Sequence, residues 1–562
     1  MGVRRAVEMS LDASNSSKGP ISSYGPLIHN PQVLELLEEK GIHAIKEIPE
    51  KGSGTILIRA HGVPPRIKKQ LIAAGYTVKD ATCPRVIKVQ TIIRKHAAKG
   101  YSVIIVGDND HPEVIGLLGY AGEKGYVVNS LAELNSLPKF DQAIIVAQTT
   151  QNTNFFEEVS NWAEKNCPHY ELYNTICDST EKRQAEVKKL AEKVDTLIVV
   201  GGRSSGNTQR LVEVAREAGK PAIHIEDESE LDSQDFQGAH TFGITAGAST
   251  PNWIINRVLK KIESFQHKDG KKWRKMIEPV QQVLFHTNLY VAFGAACLTY
   301  ASTTLQGIEK NFSYIFISFL YVLSMHTFNN LIGRKSDQFN DPARASFYEK
   351  FKYRLALLGC ISGGTGLVTA CAMGMMPFLL LTAMSIMGLL YNIRFVPDRF
   401  RLIPYHRINE IPGSKTILIV LAWGIVTSIF PALAENGAIS FLSILVFFWT
   451  IGIVFVRTAF FDILAMQGDR IVGTKTIPII IGERKTRVLL KQTLIGSFVF
   501  LFLAGLWGSV FSLAFFLCPI LFLMAFLVYS NKDLELFVRI WSMFWMEANF
   551  VLAGLLTYIW RF

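Results

Sequence analysis

The stretch Asp80-Ala81-Thr82-Cys83-Pro84 places a single cysteine in a polar loop, and we expect a buried hydrophobic run before it. A lone cysteine in such a position is usually a small residue of the hydrophobic core. Here, however, polar clusters follow several other strand-like runs, and they contain histidine, serine, asparagine and a second cysteine. Polar residues repeated at strand ends are what an open α/β sheet presents to a ligand. The pattern therefore predicts one shared site.

Short strands alternate with helices in the N-terminal half of the chain. We expect strands at residues 55–58, 103–106, 143–146, 196–200 and 240–244. Such alternation predicts parallel sheets with helices on both faces. The segment has room for about three small α/β units. Its connections are too short to make these units independent, so we expect one central site.

The composition of the chain changes near residue 280. A chain of 562 residues is too long for one core, so at least two domains are expected. About nine later segments have the roughly 20 apolar residues that cross a bilayer as a helix. The sequence therefore predicts an α/β domain at residues 1–264, a basic linker at 265–280 and an all-α polytopic membrane domain at 281–562. The nine expected spans are residues 283–303, 312–332, 354–374, 376–392, 415–434, 438–460, 489–509, 512–529 and 546–561.

Basic residues are distributed unevenly in the membrane half. Nearly all of its Lys and Arg lie in the loops at residues 333–353, 393–414, 461–488 and 530–545. The opposite loops are short and nearly uncharged, so the positive-inside rule places the basic loops and the N-terminal domain in the cytoplasm. We expect a multi-pass protein of the cell inner membrane, in contact with lipid. These loops explain much of the net charge of +11 without a nucleic-acid partner.

Two cysteines of the N-terminal half stand in polar clusters. Cys83 and Cys177 are far apart in sequence, which excludes the spacing of a zinc ribbon or a thioredoxin motif. Separate thiolates from different units suit an iron–sulfur cluster, whose irons prefer soft sulfur ligands.

Three histidines could each be a metal ligand, but their neighbours favour a different role. His29, His61 and His111 share their clusters with hydroxyl and amide donors, and such groups bind phosphate oxygens. A diphosphate therefore suits them better than a metal. Glu113 is the carboxylate best placed to deliver a proton, although it could also be a solvated loop residue.

These clusters resemble the LytB family of 4-hydroxy-3-methylbut-2-enyl diphosphate reductases over residues 1–262. The resemblance implies three α/β units around a 4Fe–4S cluster, with the substrate hydroxyl on an open iron. It also implies an electron donor such as ferredoxin or flavodoxin, and isopentenyl or dimethylallyl diphosphate as the product. The matching stretches are Gly2-Val3-Arg4-Arg5-Ala6, His29-Asn30, Ala60-His61-Gly62, Asp80 to Pro84, His111-Pro112-Glu113, Gln148-Thr149-Thr150, Cys177, Ser205-Gly206-Asn207 and Thr245 to Ser249.

The same resemblance assigns roles by position. Cys83 and Cys177 resemble cluster ligands, and Glu113 resembles the proton donor, aided by Thr149. The expected catalytic residues are Glu113, Thr149 and His111. The expected substrate-binding residues are His29, His61, His111, Thr149, Ser205, Asn207 and Ser249.

Two positions depart from the family pattern. Gly206 stands where the family has a serine, so one hydroxyl donor is lost and a backbone N–H takes its place. The family also begins Gly-Phe-Cys-x-Gly-Val-x-Arg-Ala, and Met1 stands at the first x. The third cluster cysteine would come immediately before Met1, so we expect the real polypeptide to be longer.

Two polar stretches of the membrane half lie at span ends. They run from Asn329 to Arg344 and from Asp462 to Lys475. Carboxylates seven residues apart lie near one helix face, and two opposed faces could hold Mg²⁺ and a diphosphate. The alternative is that these charges only anchor the spans at the membrane surface.

Both stretches resemble the UbiA superfamily of intramembrane prenyltransferases, over about residues 280–562. The motif spacing matches, but Asn330, Gly333, Ala465 and Gln467 replace acids of the family motifs. The resemblance implies Mg²⁺ and transfer of a prenyl group from its diphosphate to a lipophilic acceptor. The expected Mg²⁺ and diphosphate residues are Asn329, Asp337, Arg344, Asp462, Asp469 and Lys475.

The sequence thus predicts an iron–sulfur oxidoreductase fused to a UbiA-like prenyltransferase domain. Two alternatives stay open. The membrane domain could have lost catalysis and only tether the reductase, or both halves could bind isoprenoids without turnover.

Overall fold

The computed structural model describes residues 2–16, 19–232, 241–266, 283–391, 408–506, 512–530 and 536–562. The chain forms two compact units, Met1–Asp269 and Gly270–Phe562. Of the expected linker, residues 267–280 lie outside the described residues, while residues 265–266 end a helix.

Three parallel sheets form the first unit, as the alternation of strands and helices predicted. Their strand orders are β2-β1-β3-β4, β6-β5-β7-β8 and β10-β9-β11. The strands are β1 Ile21–Tyr24, β2 Ile42–Ile45, β3 Thr55–Ile58, β4 Thr77–Asp80, β5 Ser102–Val106, β6 Gly125–Val128, β7 Ala143–Ala147, β8 Glu171–Tyr173, β9 Thr196–Val200, β10 Ala222–Ile225 and β11 Phe242–Ala246. Every residue of β5, β7 and β9 is buried, which explains their continuous apolar sequences.

Helices connect these strands and begin close to the strand ends. They are α1 Gly2–Ser16, α2 Pro31–Glu39, α3 Pro65–Ala73, α4 Pro84–Ala97, α5 Pro112–Ala121, α6 Leu131–Ser136, α7 Thr153–Asn166, α8 Asp178–Ala191, α9 Gly206–Glu217 and α10 Asn252–Gln266. Four of them, α2 to α5, begin with a proline. Proline suits this first position because its fixed φ is helical and no N–H is needed there. Each of these prolines therefore fixes a helix start beside a strand end.

The second unit is helical, as expected for a polytopic domain. Its helices are α11 Leu289–Leu305, α12 Phe312–Ile332, α13 Arg334–Asn340, α14 Pro342–Lys350, α15 Lys352–Ala372, α16 Met375–Leu390, α17 Ser414–Gly424, α18 Phe430–Asn436, α19 Phe441–Val472, α20 Ile477–Ile481, α21 Glu483–Leu506, α22 Ser512–Ser530 and α23 Leu536–Trp560. A π-helical turn, Ile425–Ile429, joins α17 to α18 and makes one long apolar segment, Ser414–Asn436.

Seven helical segments in the described part of the chain are long and apolar enough to cross a membrane. The first and fourth of the nine expected spans correspond to shorter apolar helices, α11 and α16, of 17 and 16 residues. The length criterion alone therefore supports seven of the nine expected spans.

An ion pair lies inside the helical unit. Arg457 of α19 binds Glu547 of α23 through Nε, at 3.0 Å, and through a second guanidinium nitrogen. Both residues are about 95% buried, and the guanidinium lies over the ring of Trp423, 5.3 Å from its centroid. Since charged groups inside a membrane domain are costly unless paired, this contact holds α19 and α23 together.

Removal of one partner should destabilise this unit strongly. We expect Glu547→Ala to cost about 3–5 kcal/mol, because it leaves a buried guanidinium without its counter-ion. The variant with both Arg457→Met and Glu547→Leu should recover most of the loss. The measurement is the midpoint of thermal unfolding of the detergent-solubilised full chain, followed by size-exclusion chromatography.

The control is Glu483→Ala, which removes a half-exposed i,i+4 partner of Arg487 in the same unit. Its midpoint should stay close to that of the unaltered protein, since such pairs contribute little. An equally small change for Glu547→Ala would contradict this account of the buried pair.

Candidate functional site

Every residue expected at the first site lies beyond the carboxyl end of a strand. Because the strands of each sheet are parallel, these ends meet at one edge of each sheet. His29 follows β1, His61 β3, Cys83 β4, His111 β5, Thr149 β7, Cys177 β8, Ser205 β9 and Ser249 β11.

The three histidines lie against one another. The ring centroid of His61 is 4.8 Å from that of His29 and 5.3 Å from that of His111, and the other two centroids are 6.0 Å apart. The third sheet joins them through Ser249, whose hydroxyl donates to the carbonyl of His29 at 3.4 Å. Gly202 packs so closely on the same carbonyl that a side chain there would collide with it. Loops from all three sheets therefore build one site.

Burial keeps these imidazoles neutral. Desolvation is the main cause that lowers the pKa of His29, lowers that of His61 well below its usual value and lowers that of His111 to about 4. The three rings also oppose each other's protonation, as His29 does for both of the others. At neutral pH each ring offers one N–H donor and one lone pair.

The ring nitrogen of His111 that carries the proton indicates whether this site binds a metal or an anion. The ligating nitrogens of the three histidines lie within 4.8 Å of one another, which is close enough for a metal ion. However, Nδ1 of His111 accepts the backbone N–H of Glu113 at 3.1 Å, so the neutral ring carries its proton on Nε2. A protonated Nε2 donates to an anion and cannot bind a metal.

Several buried polar atoms at this site have no hydrogen-bond partner in the described structure. They are Nε2 of His29, Nδ2 of Asn30, Nδ1 of His61, Nδ2 of Asn207 and Oγ1 of Thr208. Buried groups of this kind are costly unless a ligand satisfies them. Asn207 and Thr208 also lie in the first turn of α9, where the helix dipole favours an anion. The set therefore fits the oxygens of a diphosphate.

Two residues of this set, Asn30 and Thr208, were not among the expected site residues. Asn30 belongs to the matching stretch His29-Asn30, and Thr208 follows the matching stretch Ser205-Gly206-Asn207. Their positions could have indicated them, since Asn30 directly follows His29 and Thr208 directly follows Asn207. Ser205 is the N-cap residue of α9, and its side chain makes no capping bond.

Glu113 is held by a single residue. Its two carboxyl oxygens accept the backbone N–H of Thr149 at 2.7 Å and the Thr149 hydroxyl at 2.8 Å. Glu113 is 2% exposed, and this burial raises its pKa to about 7, although the bonds from Thr149 act in the opposite direction. The carboxyl group thus holds a proton near neutral pH, as a proton donor must.

The two cysteines stand at helix starts beside this site. Cys83 caps α4 and Cys177 caps α8, and each thiol is half-buried and free. Their backbone N–H groups bind the carbonyls of Ala60 and Thr149, both at 2.9 Å. Gly2 packs so tightly on Cys83 that a side chain there would collide with Sγ. Iron–sulfur clusters are held by cysteine sulfurs, so both residues fit as iron–sulfur ligands.

The helical unit brings its two expected motifs together. Asn340 of α13 donates to Asp469 of α19 at 3.5 Å and accepts the N–H of Gly468 at 3.1 Å. Asp337 forms an ion pair with Arg344 at 2.6 Å.

A lysine outside the expected set lies between the other two carboxylates. Nζ of Lys415 is 3.9 Å from Asp462 and 3.8 Å from Asp469. We had expected residue 415 only to begin an apolar span. For the expected residues Asn329 and Lys475 the structure shows backbone hydrogen bonds, not side-chain contacts with these carboxylates.

Two known protein families match this chain, one in each half. The family model described as LytB protein matches residues 1–263, and that of the UbiA prenyltransferase family matches residues 289–547. The 4-hydroxy-3-methylbut-2-enyl diphosphate reductase of Pelobacter propionicus is 42% identical over 268 residues, which are 48% of this chain and 95% of that protein. That of Aquifex aeolicus is 42% identical over 265 residues, 47% of this chain and 92% of that protein.

Two solved structures are similar to parts of this chain. The Plasmodium falciparum E-1-hydroxy-2-methyl-but-2-enyl-4-diphosphate reductase is 28% identical, with a TM-score of 0.44, and covers 47% of this chain and 83% of its own. A UbiA homolog from Archaeoglobus fulgidus bound to DMAPP and Mg²⁺ is 19% identical, with a TM-score of 0.36, and covers 48% of this chain and 98% of its own.

The raised pKa of Glu113 predicts a carboxylic acid that is protonated below about pH 7 and ionised above it. We expect the infrared C=O band of a buried carboxylic acid to disappear with a midpoint of about 7 as the pH rises. Glu113→Gln should remove this band, and Glu157→Gln, at an exposed position of α7, should not. A midpoint near the ordinary value of 4.5 would show that Glu113 is solvated.

Proposed function

The N-terminal half of this chain belongs to the LytB family and the C-terminal half to the UbiA prenyltransferase family, and on this premise we propose that the first unit reduces 4-hydroxy-3-methylbut-2-enyl diphosphate. The products would be isopentenyl and dimethylallyl diphosphate. The observation that carries the proposal is the neutral Glu113 carboxyl, held by Thr149 beside a set of buried, unpartnered anion donors.

The diphosphate of the substrate would accept hydrogen bonds from the donors at the strand ends. Nε2–H of His111 and the amide of Asn207 donate to its oxygens, together with the hydroxyl groups of Ser205 and Ser249. The backbone N–H groups at the start of α9 add to this. Since neutral donors carry no counter-ions that must be displaced, the site is organised before the substrate arrives.

LytB reductases are iron–sulfur enzymes, and we propose that Cys83 and Cys177 provide two of the three cysteine ligands of a 4Fe–4S cluster. When bound, the cluster would supply, one at a time, the two electrons that together with two protons replace the hydroxyl group by hydrogen and release water. An external donor such as a ferredoxin or flavodoxin would recharge it.

In this scheme Glu113 donates the proton that leaves with the hydroxyl oxygen as water, and the proton that ends on carbon comes from solvent. Removal of a hydroxyl group as water requires a proton on the departing oxygen. The Thr149 hydroxyl and backbone N–H fix the orientation of the Glu113 carboxyl, and burial keeps the carboxyl protonated. The proposed reaction should therefore slow as the pH rises above about 7, because ionised Glu113 has no proton to give.

For the second unit we propose a place in the cell inner membrane, with the basic loops and the reductase in the cytoplasm. The positive-inside distribution of Lys and Arg supports this orientation. We further propose that this unit holds an isoprenoid diphosphate near its two motifs.

UbiA enzymes use Mg²⁺ in general, and Mg²⁺-dependent prenyl transfer stays a prediction for this chain. Its residues do not fit the ion well, because Asp462 and Asp469 share Lys415 and Asp337 is paired with Arg344. This pairing favours the alternative of a membrane-anchored reductase whose second unit has lost catalysis, and we propose that this unit still binds prenyl diphosphates. The proposed activity of the first unit does not depend on which alternative holds for the second.

The test of the reductase is turnover by the full chain, reconstituted with iron and sulfide without oxygen. We expect Glu113→Gln to keep its iron and to lose about 10²–10⁴-fold in kcat, the usual contribution of a general acid. Cys83→Ser should instead lose iron as well as turnover.

The control for this test is Glu157→Gln, which alters an exposed carboxylate of α7 and should leave kcat unchanged. Full turnover by Glu113→Gln would overturn the assignment of the proton donor. Unaltered protein that binds iron but reduces no substrate would overturn the proposed reaction.

A further inference from the structure

We propose that the ammonium group of Lys415 takes the place of a divalent cation between Asp462 and Asp469, so that the helical unit binds its ligand without metal. The inference deepens the proposed binding of an isoprenoid diphosphate by that unit, and it rests on that proposal. It is carried by the positions of three side chains on α17 and α19.

The two carboxylates face one point. Asp462 and Asp469 are seven residues apart on α19, which places them near one face of the helix, and they are 3% and 1% exposed. Lys415 is the second residue of α17, and its Nζ lies 3.9 Å from Oδ1 of Asp462 and 3.8 Å from Oδ2 of Asp469. The ammonium group is thus almost equidistant from both carboxylates.

The remaining oxygens of these carboxylates are largely in use. Oδ2 of Asp462 accepts the hydroxyl of Thr416 at 2.6 Å, and Oδ1 of Asp469 accepts the amide of Asn340 at 3.5 Å. Oδ2 of Asp469 is buried and accepts no hydrogen bond, so its partner is the charge of Lys415.

Mg²⁺ prefers about six oxygens at roughly 2.0–2.1 Å in octahedral positions. Gly333, Ala465 and Gln467 stand where family acids are expected, so this chain offers fewer carboxylates for that purpose. A buried pair of aspartates nevertheless needs a counter-charge, and a lysine on a neighbouring helix start provides it. The sequence changes and the position of Lys415 therefore point to the same conclusion.

The consequence is a direct contact between lysine and ligand. An ammonium group has three donors, and two carboxylates at 3.8–3.9 Å do not use all of them at close range. A phosphate oxygen could take a charge-assisted hydrogen bond from the same group. Binding would then depend on Lys415 and would not depend on Mg²⁺.

The first measurement is Mn²⁺ binding by the detergent-solubilised full chain, read by electron paramagnetic resonance. We expect no Mn²⁺ to bind at the two aspartates of the unaltered protein. Asp469→Asn should therefore bind as much Mn²⁺ as the unaltered protein. Lys415→Gln should create such binding, because it frees two carboxylates, and adding Asp469→Asn should abolish it again. Lys415→Arg, which keeps the charge, should bind none. Mn²⁺ binding by the unaltered protein that is lost in Asp469→Asn would overturn the proposal, and so would no gain in a folded Lys415→Gln.

The second measurement is the affinity for geranyl diphosphate in EDTA and in Mg²⁺. We expect equal affinity of the unaltered protein in both, and at least about 30-fold weaker binding by Lys415→Gln in EDTA, equivalent to about 2 kcal/mol. Lys352→Gln, at the start of α15, is the matched control. Binding that requires Mg²⁺ would overturn the inference. No binding in either buffer would refute the proposed ligand, while the Mn²⁺ result would still decide the role of Lys415.

Discussion

The reductase site depends on the burial of groups that stay uncharged. At an ordinary site Glu113 is ionised near neutral pH and His61 is protonated below it, yet desolvation raises the pKa of the carboxyl to about 7 and lowers that of the imidazole well below its usual value. Because these groups are uncharged, they need no ion-pair partner within the chain, and the hydrogen-bond donors stay available for an anionic substrate. Parallel sheets make this possible, because their strand ends bring loops that are far apart in sequence to one place.

The second unit differs from the first because its buried charged groups are paired with one another. Its carboxylates are paired with Lys415 and Arg344, where the first unit leaves donors unpartnered. A site with open donors gains most when an anion enters, since each buried group then finds a partner. A site with paired charges must exchange one ionic contact for another. The first unit should therefore gain more free energy than the second when an anion binds.

Much of the first site could be predicted from sequence because its residues sit at a fixed place relative to local structure. His61, His111 and Thr149 each follow an apolar strand, and the end of such a strand is recognisable from the sequence alone. Lys415 could not be predicted in this way. Its role comes from α19, about fifty residues later in the chain, and a single charge at the start of an apolar span usually marks only a membrane boundary. The pair of Arg457 and Glu547 was missed for the same reason, since its partners are 90 residues apart.

That separation in sequence has a consequence for how the protein is made. Arg457 leaves the ribosome 90 residues before Glu547, which at roughly 5–20 residues per second is an interval of about 5–20 s. During that interval α19 carries a guanidinium group whose counter-ion has not been synthesised, and an unpaired arginine inside a bilayer is costly. The contact that compensates this charge can therefore form only after α23 has been synthesised, so the C-terminal helix completes the core of the second unit.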